Sequence, residues 1–242
     1  MAVPELVVLD VNETLSDLEP LRARFTDVGA PAHLLDTWFA GTLRDGFALA
    51  ASGASRPFSD VGAAVLTGLL SHVDGLTVPV DEAVGGVLDG IKALDVHADV
   101  PDGLRAFSDA GVRVVTLTNG SLAQSEQLLE RAGVADLVER RLSVDDAGWW
   151  KPHPDAYRYA SEQCSVPLER CAMVAVHPWD LHGAAGVGMT TGWIDRRGTP
   201  WPVIFEQPSV TGATLTDVAR DVVSLAGSPT LEQHLPARGR HA

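Results

Sequence analysis

Three short apolar runs, each stopping at a polar cluster, constrain the fold of this chain more than any other feature. Leu6-Val7-Val8-Leu9 runs into Asp10-Val11-Asn12-Glu13-Thr14, Val112–Leu117 into Thr118-Asn119-Gly120-Ser121, and Cys171–Val176 into His177-Pro178-Trp179-Asp180. Uninterrupted runs rich in β-branched residues fit strands buried on both faces, as in a parallel sheet covered by helices. Between them, Asp102–Gly111 carries Leu104, Phe107 and Ala110 at helical spacing, and Leu122–Ala132 carries Leu128 and Leu129 before Gly133. Alternating strands and helices predict an α/β chain of βαβ crossovers with a parallel sheet. Ligands of such sheets bind beyond the carboxyl ends of the strands. The three polar clusters are expected to converge on one site.

Residues 16–95 break the rhythm. No β-branched run occurs there, and Leu34, Leu35, Trp38, Phe39, Leu43 and Phe47 fall at helical spacing, with Gly53, Gly75 and Gly85-Gly86 dividing the segment into about four helices. The segment reads as a helical cap over the mouth of a core formed by residues 1–15 and 96–226. Residues 227–242, with Pro229, Pro236, Arg238, Arg240 and His241, read as a flexible tail. A length of 242 residues with 45% hydrophobic content suits one α/β core carrying an insertion.

The formal charge is −14, from 32 acidic and 18 basic residues, which argues against a nucleic-acid partner because phosphate binding relies on clustered cations. Only Lys92 and Lys151 among the cations are lysines, so a lysine-dependent mechanism has two candidates. No apolar run approaches the roughly 20 residues that span a bilayer. Cys164 and Cys171, seven positions apart, suggest neither a disulfide framework nor a CxxC metal site, and no signal-peptide pattern is recognised. A reducing cytoplasm is the expected compartment.

An aspartate directly after a buried strand, such as Asp10, faces the crevice as a nucleophile or metal ligand, or else caps the turn. Its surroundings favour the first reading. Asp10-Val11-Asn12-Glu13-Thr14-Leu15, Leu117-Thr118-Asn119-Gly120-Ser121, Lys151-Pro152-His153-Pro154-Asp155-Ala156-Tyr157 and Trp179-Asp180 resemble, in order, the four motifs of the haloacid dehalogenase superfamily. Within it the chain is most similar to the type II L-2-haloacid dehalogenases, over about residues 5–200. The resemblance implies a Rossmann-like core with a helical cap inserted after the first strand and Asp10 as nucleophile. It further implies that Thr14 steadies the Asp10 carboxylate, that Thr118 and Asn119 donate hydrogen bonds to substrate or to Asp10, and that Lys151 sets a positive charge against it. Tyr157 and Asp180 complete the implied site, with Val11 and Asn12 beside the substrate. An ammonium near a carboxylate lowers its pKa and offsets the charge of an anionic substrate, which supports the Lys151 role on physical grounds. Lys92 reads as a surface residue.

Most relatives in that superfamily are similar to magnesium-dependent phosphotransferases, with a general-acid Asp two positions after the nucleophile and two carboxylates in the fourth motif. Here those positions hold Asn12, which cannot donate and recover a proton, and Val176 in place of one carboxylate. Both losses point away from phosphate and suit dehalogenation, in which halide needs neither proton nor metal to leave. No cofactor is expected, and magnesium only if a phosphatase reading holds. The implied reaction is attack of Asp10 on the halogen-bearing carbon of a small (S)-2-haloacid, an aspartyl ester, and hydrolysis by water to a 2-hydroxy acid. His177 or a Lys151/Asp180 pair is the candidate for activating that water.

Type II dehalogenases usually carry a cap arginine; Gly41 stands near its place here, and Arg44, three residues further on, is the candidate substitute. Ala175 and His177 also depart from the usual fourth motif. Trp38, Phe39, Trp149, Trp150 and Trp179 are candidates to wall an apolar pocket or to pack cap on core, with Trp149-Trp150 favouring the pocket. Trp193 and Trp201 read as packing. Alternatives on the same scaffold are a phosphatase, a hydrolase opening a strained ring beside a carboxylate, and a non-catalytic binder of a small acid or a protein. The expected partners are a small halogenated carboxylic acid and water, with a homodimer joined through the cap helices allowed.

Overall fold

The structure, a computed structural model, describes residues 3–225. Six strands, β1 (Leu6–Leu9), β2 (Arg113–Thr118), β3 (Arg140–Ser143), β4 (Cys171–Ala175), β5 (Thr190–Ile194) and β6 (Val210–Gly212), form one sheet. All neighbouring pairs are parallel, in the order β3-β2-β1-β4-β5-β6. The chain winds outward from β1 through β2 to β3, then returns and winds the other way through β4, β5 and β6. That reversal opens a crevice at the carboxyl ends of β1, β2 and β4, where the three polar clusters emerge.

Side chains on β1 alternate between two apolar layers. Leu6 and Val8 join one cluster, with Cys171, Met173 and Ala175 from β4, and Val7 and Leu9 join the other, with Ala172 and Val174. Burial on both faces explains why β1 and β4 read as uninterrupted apolar runs. Helices α5 (Val100–Asp109) and α10 (Leu215–Ser224) pack on the second layer.

Between β1 and α5 lie four helices, α1 (Leu21–Asp27), α2 (Leu34–Ala51), α3 (Phe58–Leu70) and α4 (Val80–Ile91). Gly53 and Gly75, at φ +77° and +91°, interrupt the helical run as expected. Gly85 and Gly86 do not: both lie inside α4, whose buried face is carried by Ala83, Val84 and Val87. A helix tolerates an interior glycine at about 1 kcal/mol when packing holds its other face. The remaining helices, α6 (Leu122–Arg131), α7 (Val144–Ala147), α8 (Pro154–Cys164) and α9 (Pro178–Gly186), connect or cover the strands.

The two chain segments linking the cap helices to the sheet run side by side, with Asp17 N donating to Asp95 O and His97 N to Leu15 O, both at 2.9 Å. A second tie is Trp150, which stacks on Phe58 of α3 with ring centres 5.7 Å apart and donates its indole N–H to Arg56 O at 2.9 Å. Gly46 in α2 makes room for it, since a Cβ there would lie 2.1 Å from the Trp150 ring. Among the described residues no helix is long and apolar enough to cross a membrane, and both cysteines are buried and free. The expected flexible tail lies outside the described residues.

Candidate active site

Asp10 is the first residue past β1, and its backbone N–H still pairs with Val174 O at 3.1 Å, which aims the side chain into the crevice. The carboxylate is buried, and each oxygen has its own donor. Thr14 Oγ1 donates to Oδ2 at 2.6 Å and Lys151 Nζ to Oδ1 at 2.9 Å. The same ammonium donates to Asp180 Oδ2 at 2.7 Å, so one lysine with no exposed side-chain surface bridges two buried carboxylates. Tyr157 OH completes the chain, donating to Asp180 Oδ1 at 2.7 Å.

Burial of the cluster sets its protonation. It pushes Asp10 up, but Lys151, His177 and the Thr14 hydroxyl together hold Asp10 below its ordinary carboxylate value. Asp180, also shielded from water, lies above that value, with Asp10 adding to the rise and Lys151 and Tyr157 opposing it. Burial alone would lower Lys151, yet the two carboxylates raise it above the ordinary lysine value. Tyr157 is raised well above its usual value by burial and by Asp180. Asp10 is thus the ionised, nucleophilic member, and Asp180 the more proton-accepting one.

Lys151 is held from a different strand. Asn119, just past β2, donates from Nδ2 to Lys151 O at 3.2 Å and accepts from Lys151 N at 2.9 Å, a reciprocal clamp on the lysine backbone. Asn119, expected to donate to substrate or to Asp10, makes no hydrogen bond to Asp10: its oxygen and one amide hydrogen serve the Lys151 backbone, and the second amide hydrogen remains. Thr118 Oγ1 accepts from Gly120 N at 2.8 Å, which leaves its own hydrogen free, and it borders a small pocket with Val11, Asn12 and Ser16.

His177 lies flat between Phe39 of the cap and Trp179, with ring centres 6.0 and 5.1 Å away. Its Nε2 is 3.1 Å from Asn12 O, a group that only accepts, so that nitrogen carries a hydrogen. The same atom stands 3.7 Å from Asp10 Oδ2 and 3.6 Å from Glu13 Oε2. His177 is therefore a donor at the atom facing the nucleophile.

Several expected residues stand elsewhere. Arg44 does not replace a cap arginine: its side chain is 73% exposed and paired with Asp45. Two positions along a helix turn about 200°, and the inward positions are Thr42 and Gly46, so Arg44 points away from the core. Trp38 lies in the cap interior against Phe25, Phe39 and Phe58, with its N–H on Gly62 O, one ring removed from His177. Trp150 packs cap on core as described, and Trp149 stacks on His153. Trp179 packs edge-on to Phe47 and stacks on His177, and Phe39 lines the crevice with His177. Lys92 is a surface residue paired with Asp89.

Other groups of the site were not foreseen. Val176 donates its N–H to Thr14 Oγ1 at 3.1 Å, which directs the threonine hydrogen toward Asp10. Arg196, past β5, donates to Thr14 O and to Asp99 Oδ1, each at 2.9 Å. Glu13 sits at φ +60°, its carbonyl held by His97 Nε2 at 3.0 Å. Asp99 and Arg196 lie far from the motifs in sequence, and Val176 acts through its backbone, which composition does not reveal.

A family model described as a haloacid dehalogenase-like hydrolase matches residues 4–188. Haloacetate dehalogenase H-2 of Moraxella sp. (strain B) is 34% identical over 113 residues, 47% of this chain and 50% of that protein. The (S)-2-haloacid dehalogenase of Pseudomonas sp. (strain YL) is 30% identical over 137 residues, 57% of each chain. The chain thus spans about half the length of the curated relatives it matches. The structure of the L-2-haloacid dehalogenase from Xanthobacter autotrophicus with chloropropionic acid covalently bound is similar at a TM-score of 0.80 and 21% identity, covering 93% of this chain and 100% of that one.

Proposed function

Because the chain belongs to the haloacid dehalogenase-like hydrolases, we propose that it hydrolyses small (S)-2-haloacids to 2-hydroxy acids through an ester at Asp10. The observation that carries this reading is Lys151 Nζ, 2.9 Å from Asp10 and 2.7 Å from Asp180. Its ammonium helps hold the buried nucleophile below its ordinary carboxylate value, so that Asp10 is ionised. With Asn12 in place of a second Asp, the donor set suits a leaving group that needs no proton and no metal. The reaction proposed is therefore metal-independent and cofactor-free.

An Asp10 oxygen attacks the halogen-bearing carbon from the rear, the carbon inverts, and the carbon–halogen electron pair leaves with the halide. Water then adds to Asp10 Cγ. One water proton passes to Asp180, the better acceptor of the pair, and is handed to the departing oxygen of the 2-hydroxy acid as the acyl–oxygen bond breaks; the second water proton, left on the Asp10 carboxyl, is released to solvent, which regenerates the carboxylate. Lys151 offsets charge throughout, and Thr14 keeps the carboxylate aimed. His177, whose Nε2 hydrogen is held by Asn12 O, stands beside the nucleophile and walls the site. The named activities of the Moraxella and Pseudomonas relatives, and the covalently bound acid in the Xanthobacter enzyme, support this reading. A cytoplasmic setting and a homodimer joined through the cap suit it.

Turnover of 2-chloropropionate in oxygen-18 water tests the ester. Halide release with label accumulating in the Asp10 peptide is the expected result. No halide from 2-chloropropionate or haloacetates, with or without magnesium, refutes it, and magnesium-dependent phosphate release lost in D10N would favour a phosphatase.

A further inference from the structure

A crevice runs along the junction of cap and core, above the loop after β1. Part of it is a cavity of about 250 Å³ in which Glu13, His177 and Arg197 of the core face Leu35, Asp36 and Phe39. His177 Nε2 lies 3.7 Å from Asp10 Oδ2, so the crevice ends beside the nucleophile. An anionic acid entering it meets a protein of charge −14 and needs a local cation.

Most cations near the path are already engaged. Lys151 bridges Asp10 and Asp180. Arg22 holds Asp36 through two nitrogens at 3.0 and 2.8 Å, and Glu19 through a third at 2.8 Å. Arg196 is committed to Asp99 and to Thr14 O. Arg197 differs: its side chain is 71% exposed, and its nearest carboxylate, Glu13 Oε1, stands 3.5 Å away, beyond the length of a charge-assisted hydrogen bond.

We propose that Arg197, at the turn after β5, receives the carboxylate of the entering acid and selects small anionic acids at the mouth of the crevice. A planar guanidinium matches a carboxylate through two parallel N–H donors, and a cation on the rim raises the encounter rate. The identity of the acid as a 2-haloacid rests on the dehalogenase reading; the receptor role does not.

The test measures binding of 2-chloropropionate by calorimetry to D10N protein, which cannot form the ester. Adding R197Q should weaken binding about fivefold, the size of one exposed ion pair, and R197E more. R105Q removes the same charge from a surface pair with Asp102 and should change nothing. Unchanged affinity in R197Q, equal weakening in R105Q, or no binding by D10N overturns the proposal. In otherwise wild-type protein, R197Q should raise KM for halide release at constant kcat, with weaker dependence on salt; a fall in kcat at constant KM also overturns it. If wild-type protein releases no halide while the affinity differences persist, the dehalogenase reading fails and the receptor stands.

Discussion

Replacing Lys151 with methionine keeps most of the side-chain volume and removes the charge between Asp10 and Asp180. Both carboxylates are buried, and the ammonium is within 2.9 Å of each. Removing one partner of a buried ion cluster costs about 3–5 kcal/mol, because the charge left behind has neither water nor a counter-ion. For a chain of this size that is a fall in Tm of about 10 °C. The loss should also depend on pH. In the intact protein Asp10 is held below its ordinary value despite burial, so its contribution is present above the unfolded-state pKa and is lost as pH falls through the folded one. Without Lys151, burial pushes both carboxyls above their unfolded-state values. The variant is then most stable below about pH 4 and weakens as pH rises through the raised values. The gap between the two proteins should therefore be widest near neutrality and narrow on acidification. Thermal melts of wild-type and K151M protein between pH 4 and pH 8 measure it. A gap under about 2 °C at neutral pH, or one that does not change with pH, would refute the idea that Lys151 carries the charge balance.

Two further perturbations probe neighbouring contacts. Y157F removes the 2.7 Å donor to Asp180, a bond that lowers a carboxyl already raised by burial, so Asp180 should rise further. The acidic limb of the pH–rate profile for halide release should then move to higher pH; an unmoved limb would remove Asp180 as proton acceptor. G46A places a methyl 2.1 Å from the Trp150 ring and should cost about 1–3 kcal/mol by overpacking, read as a lower Tm. A melting point equal to wild type would show that the Trp150 contact is slack.

The sheet centre was legible because β1 and β4 are buried on both faces, and such strands announce themselves as apolar runs. The outer strands were not: the edges β3, which reads Arg-Arg-Leu-Ser, and β6, with three residues, and the interior strand β5, which contains Gly192, each owe their pairing to their neighbours. Within the site, the resemblance to the four haloacid dehalogenase motifs implied that Asp10, Lys151, Tyr157 and Asp180 belong together. It did not indicate that Asn119 turns both ends of its amide to the Lys151 backbone, because side-chain direction depends on tertiary packing. Arg44 misled for a related reason. Gly41 is buried on α2 with Thr42 and Gly46, and the turn of the helix over three further residues carries Arg44 off that buried face into solvent.

Trp150 leaves the core after α7 and finishes among cap residues, face to face with Phe58. Through it a single apolar cluster runs from Leu6 and Met173 on the sheet to Leu66 and Leu70 in the cap. Separating the two parts would wet that cluster, so cap and sheet are expected to melt in one transition, which a single calorimetric peak would check. Free energy gained where an acid meets the crevice is then distributed over the whole chain, and occupancy of the site protects cap and sheet alike against denaturation.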